Sequence, residues 1–472
     1  MTRNEGSIVS VSVCGASRVK TQVPDRKRSF MSPSIKIADP RKLKLLLTSS
    51  FLASMACVDL CAELTAARMA DDFVEAQGVC LHVQNFSEQQ WPQMRKYLGD
   101  LGFRYYRDGL EHADNPVLLA RYQDLYDSFG MKLLAVCGPY GNDGLQPADG
   151  SLDHVVAKIA KIKHLILAVE GPNEPEYFWH DGWEYGGFKD RPSQVVWYQN
   201  LLYKTLKENA ETRDLLVTSF AAARVETPYN WYRESKPDIS HDIAAYHHYN
   251  GVFLPNPYDT LKNVREYYRS EKPFYLTEHG YRIRGDGHVS QKAQMKLNTR
   301  SMAFFYDWDG NQKTFFYVAG PDSADGEDYG LSNKDFTPCP TYTSMKQVIS
   351  LVNDSKWNPA LKKWDTVEFT PESLDYSATG ENQDFGWRLI QKRNGEFFLM
   401  ALPYINVANS DGSDIENRTR AVTLSFKSKY KVTQYQCNDY GVYQATNLEA
   451  SATSFDVKLP DTLTLFKIVS TK

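Results

Sequence analysis

The sequence predicts an α/β fold, a (β/α)8 TIM barrel followed by a smaller all-β sandwich domain. Three observations predict it. From Gly78 to about Val352 short apolar runs alternate with amphipathic helical stretches, there are eight such runs, and after about Lys356 helical periodicity fades into short alternating strands. The eight runs are Val79–Val83, Phe103–Arg107, Lys132–Cys137, Leu165–Val169, Leu215–Ser219, Ile243–Tyr246, Phe274–Thr277 and Thr314–Val318. Each is spaced from the next by enough chain for one helix, and about 275 residues is the usual size of such a barrel. A doubly wound open sheet is the alternative. It normally has fewer strands, and no Gly-rich phosphate turn follows the first strand here.

The helices carry their own punctuation. Ser87-Glu88-Gln89-Gln90 has the form of a capping box ahead of a periodic stretch. Asn115-Pro116 opens the next helix with a cap residue and a proline, and Gly130 closes it. Further helices are expected over Ser193–Asn209, Tyr258–Ser270, Gln291–Tyr306 and Thr341–Val352. The sandwich strands are expected over Gly386–Gln391, Glu396–Ala401, Ala421–Phe426, Val432–Asn438, Ser454–Lys458 and Thr464–Ile468, with turns at Lys392–Gly395 and Ser410–Gly412. No internal repeat or low-complexity linker separates the two parts. The division is therefore 71–355 for the barrel and 356–472 for the sandwich, after a leader over 1–67.

That leader has the three-part pattern of a secretory signal: a basic stretch with Arg26-Lys27-Arg28 and Arg41–Lys44, an apolar run from Leu45 to Val58, and small residues at Cys61-Ala62 and Thr65–Ala67. Met31 offers a start that would leave a signal of ordinary length. The expected location is secreted or extracytoplasmic, with a membrane anchor as the alternative if the apolar segment is kept. Of seven cysteines, Cys80, Cys137, Cys339 and Cys437 lie beyond the leader. They show no CxxC spacing, which disfavours zinc; Cys80 and Cys137 read as buried free thiols, and one disulfide stays open for an exported chain. A net charge of −4 without a basic stripe argues against nucleic acid as a partner. The 29 Tyr, 23 Phe and 9 Trp fill a core and also supply flat faces on which sugar rings stack.

In such a barrel the active site lies where the strands end at the C-terminal face. Strand two ends in Arg107-Asp108, strand four runs into Glu170-Gly171-Pro172-Asn173-Glu174-Pro175-Glu176, strand six ends in His247-His248-Tyr249-Asn250, and strand seven in Thr277-Glu278-His279-Gly280-Tyr281. Two glutamates, Glu174 and Glu278, thus stand at strand ends four and seven. Hydrolysis of a glycosidic bond needs such a pair, one carboxyl to protonate the leaving oxygen and a second on the other face of the sugar. A single glutamate after a strand also reads as a helix-cap neighbour or an ion-pair partner, and Arg107 and His247 also read as structural supports. His82, His248 and His279 read equally well as satisfying backbone groups. No HExxH or clustered ligand spacing suggests a metal, and no cofactor is expected.

Asn173-Glu174-Pro175, joined to the strand-six His247-x-Tyr249 and the strand-seven Glu278 in this order, resembles the retaining (β/α)8 glycosidases of clan A. The resemblance implies Glu174 as acid/base, Glu278 as nucleophile, and Asn173 as a hydrogen-bond partner of the substrate 2-hydroxyl. It further implies His247 and Tyr249 beside the nucleophile, the Tyr hydroxyl on its carboxylate, and Arg107 as its electrostatic support. One departure stands out. Many members end strand eight with Trp, where this sequence has Phe316-Tyr317-Val318-Ala319-Gly320.

The loop after Glu174 is aromatic, and Trp179 and Trp183 read either as sugar-stacking platforms or as a hydrophobic cluster anchoring a long loop. Tyr140 after strand three and Tyr281 after strand seven are further candidates of the same kind. The expected activity is retaining cleavage of β-linked poly- or oligosaccharide by double displacement. The alternatives are a glycan-binding barrel that turns nothing over, and a transglycosylase that uses the same two glutamates.

Overall fold

The computed structural model describes residues 63–139, 145–147, 150–178, 186–223, 238–252, 257–268, 270–284, 287–306, 310–321, 328–448 and 451–471. The expected signal and apolar segment, up to Ala62, lie outside them. Among the described residues no helix is long and apolar enough to cross a membrane.

Eight parallel strands close on themselves. They are Gln77–Cys80, Tyr105–Gly109, Lys132–Val136, Ile166–Glu170, Leu216–Ala222, Ile243–His248, Phe274–His279 and Asn311–Phe316. The seam is the pairing of strand eight with strand one, Thr314 beside Gln77 and Phe316 beside Val79. Each strand alternates its faces, as the pleat requires. Cys80, Leu134, Ala168, Ile243, Tyr275 and Phe315 fill the barrel interior, while Val79, Tyr106, Leu133, Val169, Tyr246 and Phe316 join the larger core under the helices. Being buried on both faces explains why these strands read as short apolar runs instead of alternating ones.

Two irregularities redirect side chains near the barrel mouth. On strand seven, Leu276 pairs with Tyr246 and Glu278 with His247, so Thr277 is an extra residue. Strand eight shows the same insertion from the other side, with Thr314 opposite Leu276 and Phe316 opposite His279. On strand five an extra residue lies between Thr218 and Ala221 relative to strand six. A bulge of this kind moves every later side chain to the opposite face.

The helix punctuation acts as expected. Ser87 and Gln90 exchange side-chain-to-backbone bonds at 2.9 and 3.3 Å. The Asn115 side chain accepts from the Val117 and Leu118 N–H groups, and Gly130 closes Pro116–Phe129 with φ +68°. Helix Gln291–Tyr306 has the expected bounds. From Ala293 to Tyr306 its side chains are all buried, because it lies between the barrel and the sandwich. There the Lys296 ammonium meets Asp461 at 2.8 Å, and the Arg300 guanidinium donates to the carbonyls of Ile405 and Asp461.

The sandwich differs from expectation in two ways. Ala421–Phe426 and Val432–Asn438 form one strand, Arg420–Cys437. Its first half pairs with Ser373–Gly380 and Ala452–Leu459, its second half with Thr464–Ser470 and Tyr443–Asn447, with a register shift between Ser425 and Tyr430. One long strand therefore links both halves of what is, among the described residues, a single hydrogen-bonded sheet of nine strands, and Leu374, Leu399, Leu424, Val457 and Phe466 pack in one core on it. The sheet also takes in chain from before the barrel. Glu63–Ala66 lies antiparallel to Ser373–Gly380, and Arg68–Met69 parallel to Phe385–Gln391. The reading of 1–67 as leader overlaps this edge strand, since a stretch of four residues whose partner lies far downstream carries no periodic signal of its own. Cys80, Cys339 and Cys437 are free and buried, and Cys137 is buried with its sulfur 3.4 Å from the Tyr198 hydroxyl.

Candidate active site

Arg107 is the centre of the site. It ends strand two inside the barrel mouth, where its side chain is only 6% exposed. Its Nε and Nη2 donate to Glu170, at 3.0 and 2.6 Å to Oε1. Nη1 donates to Glu278 Oε1 at 2.6 Å, and Nη2 to Asn173 Oδ1 at 2.6 Å. Burial by itself would disfavour its charge, but the Glu170 and Glu278 carboxylates more than offset that and hold the guanidinium well above its ordinary value. Two carboxylates thus converge on one planar cation whose donors are fixed in a fork.

Glu278 reaches this cluster because of the bulge at Thr277. Without the extra residue the parity of strand seven would direct Glu278 at the helix layer, as it directs Leu276. Its second oxygen accepts from the Tyr249 hydroxyl at 2.6 Å and lies 3.3 Å from His247 Nδ1. Burial first, then the Glu278 charge, pushes the Tyr249 phenol well above its usual value, so it remains a donor. Gly280 follows in the same turn. A Cβ there would come 2.8 Å from the Tyr317 carbonyl oxygen and 3.2 Å from the Tyr329 ring, so only glycine lets these two tyrosines close over the strand end.

Glu174 arrives from the other side of the mouth. Asn173 bridges to Ala221 of strand five, and the Glu174 N–H donates to the Ala221 carbonyl at 2.9 Å. Glu174 itself has φ +37°, a left-handed backbone that costs a residue with a Cβ about 1–3 kcal/mol and is tolerated where the surroundings impose it. Gly171 makes the approach feasible, because a Cβ would meet the Phe220 backbone nitrogen at 2.9 Å. The Glu174 Oε1 then lies 2.6 Å from His247 Nδ1.

One oxygen each of Glu174 and Glu278 and a nitrogen of His247 lie within 4.8 Å of one another. Such a trio has the donor types that take a divalent cation. Here a cation would stand close to the guanidinium already bonded to Glu278.

No family model matches the chain, and no curated protein matches it in sequence. Solved structures do match it in fold. A monomeric beta-xylosidase from Caulobacter crescentus CB15 aligns with a TM-score of 0.54 at 14% identity, over 87% of this chain and 98% of its own. The GH39 enzyme from Xanthomonas axonopodis pv. citri aligns at 0.54 and 12%, covering 86% and 96%. A glycoside hydrolase family 30 subfamily 8 xylanase from Clostridium acetobutylicum aligns at 0.52 and 13%, covering 87% and 98%. They share this chain's fold. At such identity it is the fold that is alike.

Of the residues singled out in the sequence, Arg107, Asn173, Glu174, His247, Tyr249 and Glu278 form one cluster on this fold. Trp179, Trp183 and Tyr140 lie outside the described residues. Tyr281 does not join the cluster, and its expected role as a sugar platform is corrected. It is 1% exposed and packed with Val252, Val289 and Leu297 of the barrel and Val407 and Ala408 of the sandwich, so its ring has no face left for a ligand. His279 takes the structural reading, bonded to the His248 carbonyl at 2.9 Å and to Ser301 at 2.9 Å.

Two features escaped the sequence. Glu170 is fully buried, and the signal for it was a charge closing an otherwise apolar strand. Tyr317 and Tyr329 stand beside Tyr249 on the Glu278 side of the mouth. The Tyr329 ring centre lies 5.3 Å from Tyr249 and 5.6 Å from Tyr317, and the Tyr317 hydroxyl lies 3.2 Å from His82 Nε2. Nothing in the spacing of the last loop foretells that contact.

Proposed function

We propose that this chain is a retaining glycoside hydrolase that cleaves β-linked poly- or oligosaccharide through a covalent glycosyl-enzyme, with Glu278 as nucleophile and Glu174 as acid/base. The observation that carries this reading is the facing of the two carboxyl groups, with oxygens within 4.8 Å across the barrel mouth. Retaining pairs stand about 5–5.5 Å apart, whereas inversion needs about 6.5–9.5 Å to admit a water.

The surroundings divide the roles. Glu278 has a cationic donor on one oxygen and a phenol on the other, an arrangement suited to a carboxylate that attacks the anomeric carbon. Glu174 bonds the His247 ring and holds the position from which a carboxylic acid meets a leaving oxygen. After Glu278 is esterified its charge is gone, and Glu174 accepts the proton of the incoming water. Arg107 holds the Asn173 side-chain oxygen, which fixes the amide whose nitrogen is the donor suited to a sugar 2-hydroxyl. Tyr317 and Tyr329 supply apolar faces beside the reacting sugar. With its N-terminal segment read as a secretory signal, the chain acts on glycan outside the cytoplasm.

The test is a panel of aryl β-glycosides and β-linked oligosaccharides, with the first-formed anomer followed by proton NMR. Appearance of the β-anomer first is expected. Glu278→Gln should abolish turnover. Glu174→Gln should lose about 10²–10⁴-fold on substrates with poor leaving groups and recover with azide on activated ones. An α-anomer first would overturn retention. Tight glycan binding without turnover in the unaltered protein would favour the binding-protein reading, and sugar-linked products would favour transglycosylation.

A further inference from the structure

His247 touches both carboxyl groups, and its two ring nitrogens face opposite charges. Nδ1 lies 2.6 Å from Glu174 Oε1 and 3.3 Å from Glu278 Oε2, while Nε2 lies 3.5 Å from Arg107 Nη2. We propose that His247 is a hydrogen-bond donor of fixed tautomer, with its proton on Nδ1, which occupies Glu174 Oε1 and so keeps the transferable proton of Glu174 on Oε2. The inference rests on the acid/base role proposed for Glu174.

The tautomer is set by what surrounds the ring. Burial, with help from the Arg107 charge, pushes the imidazole down to about 4 against the pull of Glu278 and Glu170, so near neutral pH it carries one ring proton. An N–H at Nε2 would point its hydrogen at the guanidinium. The hydrogens of Nη2 are already directed at Glu170 Oε1 and Asn173 Oδ1, each at 2.6 Å. A lone pair at Nε2 meets that cation favourably, which leaves the proton on Nδ1. Among the described residues the charged and titratable groups facing the ring are Arg107 from strand two, Glu174 beyond strand four, Tyr249 just past its own strand and Glu278 from strand seven, with Glu170 behind Arg107.

The consequence concerns one proton. With Nδ1–H directed at Oε1, a hydrogen on that same oxygen would collide with it, so the acid hydrogen resides on Oε2. In the other tautomer Nδ1 would accept the Glu174 proton and turn it inward, away from any leaving group. In the first half-reaction a Glu278 oxygen bonds the anomeric carbon, the bond to the leaving oxygen breaks, and that oxygen takes the proton from Oε2. Glu174, now a carboxylate, accepts a charge-assisted bond from Nδ1–H. In the second half-reaction water gives its proton to Glu174 as its oxygen displaces Glu278. His247 keeps the same proton throughout. It is a positioning residue, acting through Glu174.

The first test is long-range proton–nitrogen NMR of the full chain labelled at histidine, with the His247 signals identified by their loss in His247→Gln. A proton on Nδ1 across neutral pH is expected; a proton on Nε2, or a cationic ring, would overturn the proposal. This readout needs no substrate, so it stands apart from the glycosidase reading. Nδ1–H found in a protein inert towards every glycoside would overturn that reading and not the tautomer. Kinetics supply the second test. His247→Leu removes the donor that stabilises the Glu174 carboxylate and should slow formation of the glycosyl-enzyme from substrates with poor leaving groups about 10- to 100-fold, the worth of a bond to a charged group. It should also move the alkaline limb of kcat/KM upward. Substrates with good leaving groups, which need little acid assistance, should lose little, and His247→Gln, which keeps an N–H donor, should recover much of the loss. A Leu variant with unchanged glycosyl-enzyme formation from poor leaving groups and an unchanged pH profile would refute the assignment.

Discussion

Glu170 is fully buried against Arg107, and the arrangement of the cluster depends on it. Its carboxylate fixes the fork of Arg107, and Arg107 in turn fixes Glu278 and Asn173. Glu170→Gln keeps the shape and removes the charge, so the guanidinium loses the partner that sets its orientation. The expected loss is about 10²-fold in kcat/KM, the scale of a misplacement near 1 Å, with substrate affinity nearly unchanged. Steady-state kinetics on an aryl glycoside would check it, and wild-type values would show that Glu278 alone orients Arg107. At this scale the sequence was most informative where several polar residues end strands in a fixed order, as at Arg107, Glu174 and Glu278. It was least informative where a side chain matters through a neighbour. Tyr281 and Tyr329 illustrate the limit. Both are tyrosines in loops beyond barrel strands, but one fills the joint with the sandwich and the other walls the site.

Single elements behave as their local chemistry dictates. Asn115 caps Pro116–Phe129 through its side-chain oxygen, bonded to Val117 N–H at 2.9 Å. Asn115→Ala should cost about 1 kcal/mol, read from the urea midpoint, with activity intact. A midpoint unchanged within error would mean that the proline at the first helical position suffices. The bulge on strand seven belongs to the same scale with a different outcome. Its effect is to turn Glu278 inward, and no residue type in Phe274–His279 announces it. A one-residue insertion is a property of pairing with both neighbours, which lie in other parts of the chain. Arg420–Cys437 was legible as two strands because the exposed stretch between its halves interrupts the alternation.

The barrel and the sandwich meet over helix Gln291–Tyr306, and the Lys296–Asp461 pair is buried at that junction. Lys296→Met leaves the carboxylate without its cation and should cost about 3–5 kcal/mol of stability, seen as a lower urea midpoint. An unaltered midpoint would mean that the Asn417 amide, 3.1 Å from Asp461, satisfies the charge by itself. The dependence of stability on pH is also set by the whole molecule. Burial pushes His82, His241, His247 and His279 down to about 4 and His248 to about 3. These rings stay neutral when folded but take protons when unfolded, so their stabilisation is complete above about 6.5 and is lost as pH falls towards 4. Asp108 and Glu176 are pushed up by burial to about 8 and about 7. They keep their protons when folded, so their stabilisation is present below about 4 and is lost as pH rises through 7 to 8. Five groups oppose two below pH 6.5, and only the two act above it. Tm should therefore pass through a maximum near pH 6.5 in calorimetry, and a Tm still rising at pH 8 would contradict the burial of Asp108 and Glu176.

The sequence by itself determined the eight strand–helix repeats, the helix caps, the change to an all-β texture and the polar residues that end the strands at the barrel mouth. Those signals are local, since periodicity, caps and turn residues act within a few positions. Only the tertiary structure decided that Thr277 is an extra residue and Glu278 therefore faces the mouth, that Glu174 bends into a left-handed backbone beside Ala221, and that Glu170 anchors Arg107. It also decided that residues 63–69 complete the sandwich. Each of these depends on which strands become neighbours when the barrel closes. That choice is made by burial of the whole core, and no window of the sequence contains it.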